Sequence, residues 1–367
     1  MRIVYVVGTR PNFVKMAPVI AALRDRDPDG RHAIVHTGQH YDRLMSEIFL
    51  EELGVPRPDH MLGVGSGSHA QQTARVLERL EPVLVEEAPD LVLVPGDVNS
   101  TLAAALTATK LGLRVGHVES GLRSFDRTMP EEVNRVLTDH VAELLFLHSE
   151  DAAENLRREG IAEESMHFVG NTMIDTLVTL KPRIEAAAAP QRLGLEPGGY
   201  VLVTLHRPAL VDGPLLADAM DNLAAVARQL PVVFPVHPRT RKMLSDLASD
   251  SVGESGVDHE GVSLIDPVGY LDFLSLEAAA AAVLTDSGGI QEETTYLGIP
   301  CFTLRANTER PVTVREGTNT VLGLDPARIA EIPELLAARS GARPQPPPLW
   351  DGQAAGRVAD VIRAAPG

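Results

Sequence analysis

Residues 283–300 read VLTDSGGIQEETTYLGIP, and the fold is decided by how this stretch is built. Val283 and Leu284 belong to an apolar strand that runs into Asp286-Ser287-Gly288-Gly289. A helix beginning near Ile290 then carries Glu292 and Glu293 in its first turn. A strand, a glycine pair and a helix start together leave backbone N–H groups facing outward. The glycines let a phosphate approach that backbone closely, and the helix dipole favours its negative charge. Glu293, one turn in, is placed to reach a ribose hydroxyl pair behind the phosphates. A second reading fits the same residues: a plain βα turn with Asp286 as N-cap and acids complementing the dipole.

Outward from this unit, short apolar runs alternate with amphipathic stretches along the whole chain. Strands are expected at Ile3–Val7, Ala33–Val35, Leu91–Val94, Arg114–Val118, Leu144–Leu147 and His167–Val169. Helical patterns lie between them near 13–25, 42–52, 69–87, 101–111, 131–142 and 150–158, with Pro18 and Pro82 expected to kink or interrupt two of them. Residues 186–199 (AAAAPQRLGLEPGG) read as a helix end and a turn-rich linker, the best domain boundary. A second series follows, with strands Tyr200–Leu205, Val232–Val236, Ser263–Ile265, Ala281–Leu284 and Cys301–Leu304. A Pro-rich stretch, 342–350, precedes a final helix at about 352–363. Two βαβ series predict two doubly wound parallel sheets with ligand sites at strand C-termini and a cleft between them.

Composition narrows the function. The chain has 367 residues, enough for two cores, and its 44% hydrophobic and 23% charged content is ordinary for a soluble globular protein. A net charge of −17 argues against nucleic-acid and anionic-membrane partners, and means that an anionic substrate must be caught by local arginines. Cys301 is the only cysteine, which rules out an intrachain disulfide and fits a reducing cytoplasm. It lies in an apolar strand and reads as a packing residue. No apolar run approaches membrane-spanning length, and Ile3–Val7 is too short for a signal peptide core.

Candidate chemistry collects at the expected strand ends. Gly8-Thr9-Arg10-Pro11 follows the first strand, with Lys15 one turn into the next helix, so Arg10 and Lys15 can face an anion. His206-Arg207 and His237-Pro-Arg239 end two strands of the second series, and Arg310 is a further cation. Metal-ligand spacing is absent: there is no HExxH and no Cys pair. Asp97 closes the third strand and Glu119 the fourth, while Glu131 and Glu132 follow Pro130 at a helix start and Arg135 lies one turn beyond. Each acid alone also fits a turn or dipole role. Their convergence on one sheet edge suggests general acid–base chemistry on a neutral part of a nucleotide-linked substrate. Mutual repulsion and burial would separate their protonation states. No Walker loop, GxGxxG or GxSxG motif is present, which weakens NTPase, dehydrogenase and hydrolase readings.

In order, GTRPNFVKMAPV (8–19), TGQHYD (37–42), PGDVNST (95–101), GHVESGLRS (116–124), PEEVNR (130–135), VGNTMID (169–175), DSGGIQEE (286–293) and TERPVT (308–313) resemble the non-hydrolysing UDP-N-acetylglucosamine 2-epimerases. The resemblance covers nearly the full length. It implies a GT-B-like α/β fold of two Rossmann-type domains, 1–170 and 190–350, with the C-terminal stretch (about 352–367) packed back on the first. It also implies a homodimer with a UDP-sugar as substrate and no redox cofactor. The implied reaction interconverts UDP-GlcNAc and UDP-ManNAc by eliminating UDP to 2-acetamidoglucal and re-adding it. By matching position, Asp97, Glu119 and Glu131 would be the acid–base set. Arg10, His206, Ser287, Gly288, Gly289 and Arg310 would hold the diphosphate, with His206 also close to the chemistry, and Glu293 would hold the ribose. Lys15, Arg135 and His237 would complete the polar shell, and Tyr270 and Phe273 resemble the segment that packs on uracil.

Other outcomes for the same residues are a hydrolysing epimerase releasing ManNAc and UDP, a GT-B glycosyltransferase, and an inactive nucleotide-sugar binder. The chain departs from the family pattern in places. Many members read GTRPE and HRREN, whereas Asn12 stands here for the acid and the second loop is HRPALVD (206–212). Members activated by a second UDP-GlcNAc carry a Gln where this chain has Asp42, and an Arg near the Gly63–His69 loop, which here has none. The allosteric site is therefore expected to be absent or much weakened. Steady-state kinetics started from purified UDP-ManNAc check this: turnover is expected without added UDP-GlcNAc, and a requirement for it would overturn the expectation.

Overall fold

The computed structural model describes residues 1–38, 49–236, 238–247, 258–259, 261–339 and 344–365. By contact density the chain divides into Met1–Thr179 with Pro348–Gly367, and Leu180–Pro347. The division falls inside the helix Thr172–Ala187, between the ranges 1–170 and 190–350 and just short of the turn-rich stretch 186–199.

The first unit holds a parallel sheet of seven strands in the order β3-β2-β1-β4-β5-β6-β7. These are β1 (Arg2–Val7), β2 (Arg31–His36), β3 (His60–Met61), β4 (Leu91–Pro95), β5 (Arg114–Ser120), β6 (Leu144–Leu147) and β7 (Met166–Phe168). The second unit repeats the plan in the order β10-β11-β9-β8-β12-β13-β14. Its strands are β8 (Val201–Thr204), β9 (Val232–Pro235), β10 (Asp258–His259), β11 (Val262–Ile265), β12 (Ala282–Thr285), β13 (Cys301–Thr303) and β14 (Asn319–Val321). Among the described residues, only β10 runs antiparallel to its neighbour. Both units are thus Rossmann-type doubly wound sheets. Strand order reverses between β1 and β4 in one and between β8 and β12 in the other, and an open α/β sheet presents its ligand site beside such a reversal.

The central strands are apolar on both faces because helices cover both. Ile3–Val7, Leu91–Val94, Val201–Val203 and Ala282–Leu284 are almost wholly buried. Three short strands, β3, β10 and β14, were not expected from the sequence. At two or three residues, and polar in β14, they carry no periodic signal. The helix expected at 42–52 is described only over 49–53.

The prolines interrupt nothing. The helix Arg10–Arg26 runs through Pro18, and His69–Glu87 runs through Pro82. Pro18 frees the carbonyl of Val14 from its i−4 bond, and the Thr176 hydroxyl donates to that oxygen at 2.6 Å. Pro82 and Glu78 both lie on an exposed face, where water can serve the corresponding carbonyl. Among the described residues, no helix is long and apolar enough to cross a membrane.

The C-terminal helix Ala354–Ala364 packs on Arg10–Arg26, with Arg26 and Asp360 paired at 3.0 Å. Its N-terminus is held by Asp175, which accepts from Ala354 N at 3.1 Å and Ala355 N at 2.6 Å. Burial pushes the Asp175 carboxyl up to about 6, outweighing those two donations. A raised folded-state value means that the group's contribution is full below its ordinary range and is lost as pH rises through about 6. The stability advantage of the wild type over Asp175→Asn is therefore expected to shrink between pH 4 and 6.5, by roughly 3 kcal/mol at most. Urea midpoints measured across that range check it.

Candidate functional site

In the first unit the chemistry-bearing residues gather where β1, β4 and β5 end. The turn after β4 is pinned on every side. Gly96 N donates to Val118 O at 3.0 Å, His117 Nε2 meets Gly96 O at 2.7 Å, and Asn134 Nδ2 donates to Asp97 O at 2.9 Å. His117 is itself fully buried and paired through Nδ1 with Asp139 at 2.7 Å. Asp139 also accepts from Arg123 Nη1 at 2.7 Å. Burial would raise the Asp139 carboxyl, but His117 and Arg123 hold it below the usual carboxylate range.

Asp97 and Glu119 each meet a cation. Arg135 bridges two acids, with Nη2 2.5 Å from Asp97 Oδ2 and Nη1 2.8 Å from Glu132 Oε2. Lys15 Nζ pairs with Glu119 Oε2, both side chains nearly buried. A Cβ on Gly96 would stand 3.2 Å from that ammonium, and Gly96 has φ +65°, so glycine suits the turn twice over. Glu119 adopts φ +69° where the β5–β6 register shifts. A non-glycine residue in this region costs energy and has its carboxylate re-aimed by the backbone. Glu131 is half-buried and its side chain makes no hydrogen bond or ion pair among the described residues. Its neighbour Glu132 is structural, accepting from Ser124 N, Ser124 Oγ and Phe125 N at 2.8–2.9 Å. Arg10 is exposed, its guanidinium 5.7 Å from the centre of the Phe49 ring.

Asn12 pins the turn after β1. Its Oδ1 accepts from Gly8 N at 3.0 Å and Thr9 N at 3.1 Å, while Nδ2 donates to Pro95 O at 3.3 Å. The Gly63–His69 loop, which has no arginine of its own, is held by two from the next helix. Arg75 donates to Val64 O and Ser66 O, and Arg79 to Leu62 O and Gly63 O. Asp42 lies outside the described residues.

In the second unit the helix starts earlier than the sequence implies, at Gly288 with Ser287 as N-cap, so Glu292 and Glu293 fall in its second turn. Its first N–H groups have no intrahelical acceptors. Arg310 lies directly over the start of this helix. A Cβ on Gly288 would collide with Arg310 Nη1 and come within 2.9 Å of its Cζ and of Glu309 Oε1. The guanidinium is held by Glu292 (Nε–Oε1, 2.9 Å) and by Glu309, which also pairs with Arg305 at 2.7 Å. Its loop is fixed by a buried amide hub. Gln291 Oε1 accepts from Thr308 Oγ1 at 2.6 Å and Asn319 Nδ2 at 3.0 Å, and Thr308 Oγ1 accepts from Arg310 N at 3.1 Å. A cation and the N–H groups of a helix start converge on one spot that excludes side chains, an arrangement suited to an anion.

Asp286 is not the helix cap. Its Oδ2 accepts from His206 N at 2.8 Å and Arg207 N at 2.7 Å, and its Oδ1 stands 3.0 Å from His206 Nδ1. Burial would raise its carboxyl, but these partners hold it below the usual range. One ordering signal was available in the sequence: Ser287, itself a favoured cap, stands nearer the helix.

Tyr270 donates to Glu293 Oε1 at 3.2 Å, and Phe273 packs half-buried on the core beneath. Burial pushes the Glu293 carboxyl up, and the charge of Glu292 adds to this. Glu277, fully buried behind it, is raised for the same reason and by Glu293. In the altered 206–212 loop, Leu210 and Val211 enter the core and Ala209 is exposed where HRREN members carry the acid. Burial pushes the Cys301 thiol up to about 12, which suits packing and not nucleophilic attack. His237 lies outside the described residues, and among those described no His, Cys, Asp or Glu group could hold a metal.

A family profile described as UDP-N-acetylglucosamine 2-epimerase matches residues 22–363. The chain is 42% identical over 363 residues to a UDP-N-acetylglucosamine 2-epimerase of Methanococcus maripaludis, covering 97% of each chain. It is 39% identical over 366 residues to the UDP-2,3-diacetamido-2,3-dideoxy-D-glucuronate 2-epimerase of Pseudomonas aeruginosa, covering 99% of each. It also matches the crystal structure of the Methanocaldococcus jannaschii UDP-GlcNAc 2-epimerase in complex with UDP-GlcNAc and UDP. That match has a TM-score of 0.87 at 39% identity and covers all of both chains.

The Gly288 contact makes an anion role for this helix start directly testable. Gly288→Ala is expected to displace Arg310 and weaken UDP binding about tenfold or more, a loss of roughly 1.4 kcal/mol. Calorimetric titration with UDP, alongside a thermal melt to confirm folding, checks it.

Proposed function

Since the chain belongs to the UDP-N-acetylglucosamine 2-epimerase family, we propose that it interconverts UDP-GlcNAc and UDP-ManNAc by elimination and re-addition of UDP. The second unit would hold the nucleotide. Arg310, Ser287, Gly288 and Gly289 would take the diphosphate together with Arg10 and His206, Glu293 the ribose, and Tyr270 and Phe273 the base. The first unit would supply Asp97, Glu119 and Glu131 to the sugar, supported by Lys15 and Arg135, with His237 completing the polar shell.

The chemistry follows from what the substrate lacks. The C2 proton has no adjacent carbonyl to acidify it, so its removal needs a departing group. As one carboxylate takes that proton, the C1–O bond breaks, the C1=C2 bond forms, and the electron pair passes to the diphosphate. Fixed positive charge and N–H dipoles stabilise this developing charge. Re-addition returns UDP to C1 and delivers a proton to the opposite face of C2 from a second acid. The supporting observation is Arg310 laid across the start of the Gly288 helix, which favours the diphosphate most when it is leaving.

A second sugar deserves a parallel assay. The altered 206–212 loop and the 39% identity to a diacetamido-glucuronate epimerase favour testing that substrate beside UDP-GlcNAc.

Proton NMR in deuterated water tests the reaction. Deuterium at C2 of intact UDP-sugar is expected, whereas free ManNAc with UDP would indicate hydrolysis. Asp97→Asn, Glu119→Gln and Glu131→Gln are each expected to lower turnover about 100-fold or more while UDP binding is largely kept. Survival of turnover in all three would refute the acid–base assignment.

A further inference from the structure

Asp286 is fully buried at the end of β12, in a position where its two oxygens do different things. Oδ2 is occupied by the two backbone N–H groups of His206 and Arg207. Oδ1 has no well-aligned hydrogen bond, and His206 Nδ1 faces it at 3.0 Å. Beyond that contact the imidazole is half exposed, so Nε2 is the ring nitrogen on the outer side. The carboxylate cannot rotate away from the ring without orphaning two amides, which makes its orientation a property of the backbone. A carboxylate oxygen offers only lone pairs, so the nitrogen against it is the one that carries a proton.

We infer that Asp286 is a positioning residue: it orients the His206 ring and keeps the proton on Nδ1, leaving Nε2 as the atom that meets the substrate. The role of His206 at the diphosphate rests on the function proposed above; the proton placement does not. With a second proton the ring becomes an imidazolium, whose Nε2–H donates to the diphosphate oxygen as the C1–O bond breaks, its charge balanced by Asp286 behind it.

Asp286→Asn separates the two duties of this side chain. The amide oxygen can take the place of Oδ2 and keep both backbone donors, so the loop keeps its acceptor. The amide NH2 then faces Nδ1 and requires a lone pair there, which drives the ring proton to Nε2 and opposes the imidazolium. The same substitution in a Ser-His-Asp triad, where it yields the wrong tautomer, is severely damaging.

Long-range 1H–15N correlation spectra of uniformly labelled protein, with His206→Asn to assign the His206 signals, read the tautomer without substrate. The wild type is expected to show the Nδ1–H form and Asp286→Asn the Nε2–H form. An Nε2–H wild type, or no change in the variant, would overturn the inference. Turnover of Asp286→Asn is expected to fall about 100-fold or more, and His206→Asn/Asp286→Asn to be no worse than His206→Asn alone. Additive losses would mean that Asp286 serves only the fold. A wild type inactive on both UDP-sugars would instead end the epimerase reading and leave the tautomer spectra to decide the proton placement.

Discussion

A single buried carboxylate ties the ends of β8 and β12 together, and the strand-end face of the second unit is organised by that tie. Asp286 accepts two backbone donors from the loop after β8 while its own backbone leads into the Gly288 helix. Each donor left without an acceptor would cost about 1–3 kcal/mol. The carboxylate therefore sets the distance between the His206 loop and the helix start before any ligand arrives. Arg310 adds the second constraint, because its guanidinium occupies the volume that a side chain at position 288 would need.

In both units several acids are paired with a nearby cation. Arg135 serves Asp97 and Glu132, Lys15 serves Glu119, and Arg310 serves Glu292 and Glu309. Such pairs contribute little net stability, because desolvation offsets their attraction. What they fix is direction. In a chain of net charge −17, cations held at strand ends by local acids would keep the orientation that an anion, repelled by the whole field, requires.

Much of this was legible in the residues. Long apolar runs at Ile3–Val7, Leu91–Val94 and Leu144–Leu147 marked the central strands, since burial on both faces leaves no alternation to misread. The DSGG unit marked a strand-to-helix turn, because an apolar strand running into a glycine pair and then a helical pattern reads that way, and β12 followed by the Gly288 helix bears it out. The sequence did not disclose side-chain networks that depend on long-range pairing. Asp286 looked like a cap because local spacing cannot reveal donors 80 residues away in the chain. Pro18 looked like an interruption because the hydroxyl that rescues Val14 O comes from Thr176, on a helix 162 residues further on. Glu132 and Asn319 are ordinary polar residues until the fold makes them hubs.

The amide at position 12 carries a consequence of its own. A carboxylate holding the Gly8 and Thr9 amides would do so by charge, and would release them in acid or weaken under high salt. Asn12 makes those two contacts by neutral hydrogen bonds and donates through Nδ2 to Pro95 O, stitching the β1 turn to the end of β4. Those three bonds carry no charge, so neither acidity nor ionic strength acts on them directly. A multiply charged ligand approaching the β1 turn would also meet one fewer negative charge than with an acid at position 12.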